Sequence, residues 1–160
     1  MVVGGQAVLI HAEPRLTQDI DVTLSVGPER ADDVLAAVQS AGLKSLAPDR
    51  GFIERTFVVP CIDEESRIRV DVILSNSEFE HRAISRAIKF DVGGQPVRFA
   101  TAEDLVVMKV VAGRPRDLED VRSVARANPE LDVELIEFEL AELDSALAIG
   151  LIARYRGAIK

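Results

Sequence analysis

The chain has a single cysteine, Cys61, among its 160 residues. No internal disulfide can form, so the fold has to be held by burial alone, for which this length is sufficient. Long apolar runs are missing too: none approaches the roughly 20 residues of a membrane-spanning helix, which excludes a span of that kind. The N-terminus carries no basic stretch followed by a long apolar core, as a secretory signal would, and the expectation is a cytoplasmic protein. Positive charge is scarce. Against 27 Asp and Glu stand 19 Lys and Arg, a net charge of −8. That excludes a generally basic surface for nucleic acid and leaves only a local patch around Arg114, Arg116, Arg122 and Arg126. Internal repeats and low-complexity segments are absent as well. What remains, 48% hydrophobic and 29% charged residues, is the composition of one soluble globular domain.

Residues 1–5 form a short apolar run ending in Gly4-Gly5, and 6–12 (QAVLIHA) continue as a helix. After the polar connector EPRLTQ, the run DIDVTLSV alternates as a half-buried strand does, with Asp19, Asp21 and Thr23 on one face. Ile20, Val22 and Leu24 take the other. PERADDVLAAVQSAGL has helical spacing, with Pro28 near its start and Gly42 at its end. FIERTFVVPCI and RIRVDVILS, separated by DEES, predict an antiparallel hairpin. Its second arm places Asp71 in the middle of an otherwise apolar strand, on the face of Arg69 and Ile73. NSEFEHRAISRAI predicts a helix, KFDVGGQPVRF two short strands around Gly93-Gly94, and TAEDLVVMKVVAG a helix capped by Thr101 and stopped by Gly113. Three more helical stretches follow: RDLEDVRSVARAN, DVELIEFELAEL and SALAIGLIARYR. The expected division is an α/β core over 1–99 and a helical part over 100–160 packed on it.

If the strands bearing Asp19, Asp21 and Asp71 are neighbours, their carboxylates form an acidic cluster. Such a cluster usually persists because divalent cations neutralise it. Two Mg²⁺ ions, typically about 3.5–4 Å apart, activate an attacking hydroxyl and stabilise leaving pyrophosphate. Gly4 and Gly5, between a strand end and a helix, let backbone N–H groups approach phosphate oxygens closely. These are the parts of a nucleotidyl transfer site. Blander readings stand beside them: Asp71 pairing with Arg69 or Arg55, Lys109 snorkelling from an apolar helix, Asp117 and Asp120 pairing with Arg114 or Arg116. His11 reads as a helix-face residue, and His81 and Cys61 as structural or surface residues. DIDVT also fits the Asp-x-Asp-x-Thr motif of haloacid dehalogenase-like phosphatases. There an apolar run precedes the motif, whereas PRLTQ precedes it here. A metal-binding Asp-x-Asp glycosyltransferase would need a longer chain.

Gly-Gly, thirteen residues, then Asp-Ile-Asp-Val resembles the signature of the DNA polymerase β-like nucleotidyltransferase superfamily. GGQAVLIHAEPRLTQDIDV together with EDLVVMKVVAGRPRDLEDV is similar to the minimal and abortive-infection (AbiEii-like) nucleotidyltransferases, some of which are toxins of toxin-antitoxin pairs. The likeness touches residues 1–124. It implies an α+β nucleotidyltransferase fold: a mixed β-sheet flanked by helices, with a helical C-terminal part. It also implies roles. Gly4 and Gly5 hold the triphosphate, Asp19 and Asp21 the metals, and Asp71 completes the metal site or serves as base. Arg15 and Thr17 match an arginine and a small hydroxyl residue that often precede the acidic pair. Lys109 matches a lysine that reaches the phosphates, and Arg114, Asp117 and Asp120 match residues that fix the helical part and touch the nucleotide. Mg²⁺, or Mn²⁺, is the implied cofactor. The implied partners are a nucleoside triphosphate and an acceptor hydroxyl on protein, tRNA or a small molecule, with an antitoxin or a homodimer possible. An inactive relative that binds nucleotide or a partner is the alternative. Relatives often carry a helix before the first strand, and here the sequence begins almost on the strand.

Overall fold

Two β-branched residues, Val2 and Val3, make the first strand, and everything around the site is hung on this short element. The computed structural model describes residues 1–160. Strand β1 (Val2–Val3) runs directly into α1 (Gly4–His11), so the two glycines are the first residues of the helix rather than a turn ahead of it. β2 is Asp19–Leu24, followed by a 3₁₀ turn at Pro28–Arg30 and α2 (Ala31–Ser40). β3 (Lys44–Ser45) precedes α3 (Arg50–Thr56). β4 (Val58–Ile62) and β5 (Arg69–Leu74) form the expected antiparallel hairpin.

Its first arm is shorter than the apolar pattern predicts, because residues 50–56 are helical. The Asp49 carboxylate accepts from the Phe52 N–H at 2.7 Å, Ile53 is buried, and Phe57 ends the helix at φ 57°. A local cap overrides the strand propensity of the aromatic and β-branched residues around it.

α4 (Glu78–Arg86), closed by a Ser77–Glu80 capping box, leads to the hairpin β6 (Ile88–Val92) and β7 (Gln95–Phe99). Four helices complete the chain: α5 (Ala102–Ala112), α6 (Pro115–Ala127), α7 (Val133–Leu147) and α8 (Leu151–Ala158). Two helices are expected after α6, but the break between them falls inside SALAIGLIARYR, which the apolar spacing reads as one helix. Ala148 and Gly150 both take the left-handed conformation, and Asp144 Oδ1 accepts from the N–H groups of Ile149 and Gly150 at 2.9 Å each. The α-helix cannot continue through that corner.

The seven strands lie in the order β3-β4-β5-β2-β1-β7-β6, with β2 parallel to β5 and β1 antiparallel to β2. One face buries Val59, Cys61, Val72 and Leu74 against Ala31, Val34 and Val38 of α2 and Ile53 of α3. The larger core lies on the other face. It joins Val3, Val8 and Phe99 to Phe79 of α4, Leu105 and Val106 of α5, Val121 of α6, Leu140 of α7 and Tyr155 of α8. That core runs without a break across residue 100. Burial of this area, at about 25 cal/mol per Å² of apolar surface, is the main force holding the helices to the sheet. No helix is long and apolar enough to cross a membrane.

Candidate active site

Asp19, Asp21 and Asp71 come together through strand register. Asp21 lies directly opposite Asp71 in the parallel β2–β5 pair, and Asp19 lies opposite Arg69. Period two then sends all three carboxylates to the face covered by α1 and the C-terminal helices. Burial pushes the Asp21 carboxyl above the usual carboxylate range, and the charges of Asp19 and Asp71 push it further; Lys109 and Arg114 only partly oppose this. Asp71 is likewise pushed up, first by burial and then by Asp19. The three aspartates do not form a closed ligand cluster by themselves: no three His, Cys, Asp or Glu side chains are gathered as a metal-binding group.

The glycines are packed onto this acidic strand. Gly4 has φ +62°, and a Cβ placed on it would overlap Asp21 Oδ2 and lie 2.7 Å from Asp21 Cγ. A Cβ on Gly5 would lie 2.9 Å from Thr17 Cβ. Only glycine allows the start of α1 to approach so closely. The N-cap residue Val3 offers no side-chain cap, and no acidic residue stands in the first turn. The first N–H groups of α1 thus keep their donors for another acceptor, at the positive end of the helix dipole. Thr17 Oγ1 donates to Asp19 Oδ1 at 3.1 Å, fixing the approach to β2.

A ladder of alternating charges closes the opposite wall. Arg15 grips Asp120 with both arms, Nε to Oδ1 at 2.6 Å and Nη2 to Oδ2 at 2.7 Å. Lys109, only 7% exposed, reaches Asp120 Oδ2 at 2.8 Å and Asp117 Oδ1 at 3.1 Å. Arg114 donates to Asp117 Oδ2 at 2.6 Å through Nε, and its backbone N–H joins the same oxygen at 3.2 Å. These partners hold the carboxyls of Asp117 and Asp120 below the usual range despite burial. Lys109 therefore does not snorkel. It is buried with its charge already shared between two aspartates.

Nine of the eleven residues given roles from the sequence line one cavity of about 390 Å³: Gly4, Gly5, Arg15, Thr17, Asp19, Asp21, Lys109, Arg114 and Asp117; Asp120 is outside its lining, bonded to Arg15 and Lys109. Asp71 does not line it; β5 carries it on the far side of Asp21 from β1. Leu16, Gln18 and Arg116 line the cavity without having been singled out for it. Their signal was weak but present, since Leu16 and Gln18 interleave with Arg15, Thr17 and Asp19, and Arg116 follows Arg114 across Pro115. The arginine patch is divided. Arg122 and Arg126 line a separate surface cavity of about 420 Å³ together with Glu13 and Glu119. His11 bonds the Ala100 carbonyl at 2.8 Å and His81 meets Ser75 at 3.1 Å, away from this cavity, and Cys61 is buried in the smaller core.

Residues 1–154 match the family described as "Nucleotidyltransferase of unknown function (DUF6036)". The chain belongs to that nucleotidyltransferase family. Solved structures agree on the fold. The solution structure of the antibiotic-resistance factor ANT(2'')-Ia superposes with a TM-score of 0.63 at 20% identity, over 92% of this chain and 82% of the other. ANT(2'')-Ia in complex with adenylyl-2''-tobramycin gives 0.61 at 19% identity, over 91% and 87%. An antigenic nucleotidyltransferase-like protein from Paracoccidioides brasiliensis gives 0.53 at 13% identity, over 99% and 84%. No curated protein sequence matches the chain significantly. This nucleotidyltransferase presents carboxylate and hydroxyl oxygens around an under-compensated negative charge at Asp21, a donor set that suits a hard divalent cation.

Proposed function

We propose that the protein transfers a nucleoside monophosphate from a nucleoside triphosphate to an acceptor hydroxyl, with divalent metal held by Asp19 and Asp21. The observation that carries this reading is the contact between Gly4 and Asp21, which sets an uncapped helix N-terminus against the acidic strand. The N–H groups at Gly4 and Gly5 donate to phosphate oxygens, and Arg114 and Arg116 add positive charge at the same cavity. Bound Mg²⁺ or Mn²⁺ would polarise the α-phosphate and stabilise charge on the leaving pyrophosphate. Asp71, raised above the usual carboxylate range, completes the metal site or accepts the proton of the attacking hydroxyl. A new P–O bond forms at the α-phosphorus as the bond to pyrophosphate breaks, and the pyrophosphate leaves with the electron pair. Lys109, Asp117, Asp120 and Arg15 hold α5, α6 and the connector in place around it. Residues 1–99 supply the catalytic strands and Arg15, and 100–160 the rest of the charged wall.

The acceptor belongs to one of three classes: a protein hydroxyl, a tRNA end or a small molecule. Likeness of fold to a structure holding adenylyl-2''-tobramycin puts small-molecule hydroxyls among those to test. The resemblance to abortive-infection enzymes adds a toxin-antitoxin setting, in which an antitoxin or a second copy would be the partner. Incubation of the protein with Mg²⁺, cell extract and each α-labelled triphosphate tests the proposal. Label should enter one acceptor class with the wild type and none with Asp19→Asn.

A further inference from the structure

We infer that Leu16 is the nucleobase platform of this cavity, a reading that rests on the nucleotide-binding function proposed above. Of the 12 residues lining the cavity, Leu16 is the single hydrophobic one, and it is 78% exposed, more than any other large apolar residue of the chain. A lone exposed leucine needs no explanation on a free surface. This one is held out on a pinned backbone. Its carbonyl accepts from Arg116 Nη2 at 2.8 Å, and its neighbour Arg15 is locked to Asp120 by two bonds. These bonds fix the backbone from which the Leu16 side chain projects.

Strand order decides which substrate meets it. Asp71 lies on β5, on one side of Asp21, while Gly4 and Gly5 follow β1 on the other. With Asp71 as the base, the acceptor hydroxyl falls on the β5 side, while the cavity with Leu16 is lined by the phosphate-binding glycines and not by Asp71. A nucleoside triphosphate has one broad apolar surface, the face of its base, and the cavity has one apolar side chain. Gln18, exposed beside Leu16, adds an amide with both donor and acceptor capacity, suited to the edge of a base.

Calorimetric titration of the full chain with each of the four nucleoside triphosphates and with inorganic tripolyphosphate, all with Mg²⁺, tests this. Leu16→Ala should weaken nucleoside triphosphate binding roughly five-fold and leave tripolyphosphate affinity unchanged, while Leu16→Met keeps both. Gln18→Ala should narrow the spread of affinity among the four bases. Equal weakening of both ligands would make Leu16 a support of the loop and overturn the platform, as would unchanged nucleotide affinity in Leu16→Ala. A wild type that binds tripolyphosphate and nucleotides alike would also overturn it while leaving the phosphate cradle standing. Binding of neither by the wild type would contradict the nucleotide reading itself.

Discussion

Gly4 and Asp21 approach so closely that a Cβ at the helix start would collide with the carboxylate. The thirteen residues between Gly5 and Asp19 are the length needed to complete α1, turn back through EPRLTQ and run β2 antiparallel to β1, with Val3 opposite Asp21. The spacing in the sequence is the span of that excursion.

Gly4→Ala should lose stability through both backbone strain and this overlap. Strain at a left-handed residue costs about 1–2 kcal/mol, and Gly42 offers the control. Gly42 has φ +79° with open space around it, so Gly42→Ala suffers strain alone. Thermal unfolding should show a larger fall in Tm for Gly4→Ala than for Gly42→Ala, and equal falls would remove the overlap from the account.

Asp21→Asn should be at least as stable as the wild type at neutral pH. Because the folded pKa of Asp21 is raised, its ionised form opposes folding, and stability is lost as pH rises through that value. The gap between variant and wild type should close on acidification below the ordinary carboxylate range. Urea midpoints across pH measure this, and added Mg²⁺ should raise the wild-type Tm while leaving the variant unmoved.

Lys109→Met should be among the most damaging substitutions in the chain. It leaves Asp117 and Asp120 buried with only arginines beside them, and breaking a buried charge pair costs about 3–5 kcal/mol. The carboxyls of Asp117 and Asp120 are lowered, so their contribution is present above the unfolded carboxylate pKa and is lost as pH falls through the folded values. The share of stability that these two carboxyls supply should therefore fall on acidification, and the variant should show a flatter dependence than wild type in that range.

A fragment ending at residue 99 should not fold alone. Val3, Val8 and Phe99 complete their packing only against Leu105, Val106 and the helices beyond. Circular dichroism should show a disordered fragment, and the full chain should melt in one cooperative transition.

Much of this was legible in the sequence because strand alternation and glycine spacing are local signals. The placement of Asp19 and Asp21 on one face, the Asp71 strand and the cap of α5 at Thr101 all follow from such patterns. The helix at residues 50–56 was hidden because one aspartate cap outweighed an apolar run that favours strand. The break between α7 and α8 depended on the Asp144 carboxylate accepting from the N–H groups of Ile149 and Gly150, which periodicity does not register. Lys109 was ambiguous for a different reason. Its two carboxylate partners lie eight and eleven residues away, and only the packing of α6 against α5 brings them to it. Leu16 was read past because its only signal was its place between Arg15 and Thr17 in a polar connector.

The central claim is transfer of the α-phosphoryl group with its nucleoside, governed by the β2 carboxylates. It is tested most directly by supplying the same triphosphate labelled at the α- or the γ-phosphorus to wild type, Asp19→Asn and Asp21→Asn in cell extract with Mg²⁺. The account predicts that wild type passes only the α-label to an acceptor and that neither variant passes any. Transfer of the γ-label, or undiminished α-label transfer by either variant, would contradict it.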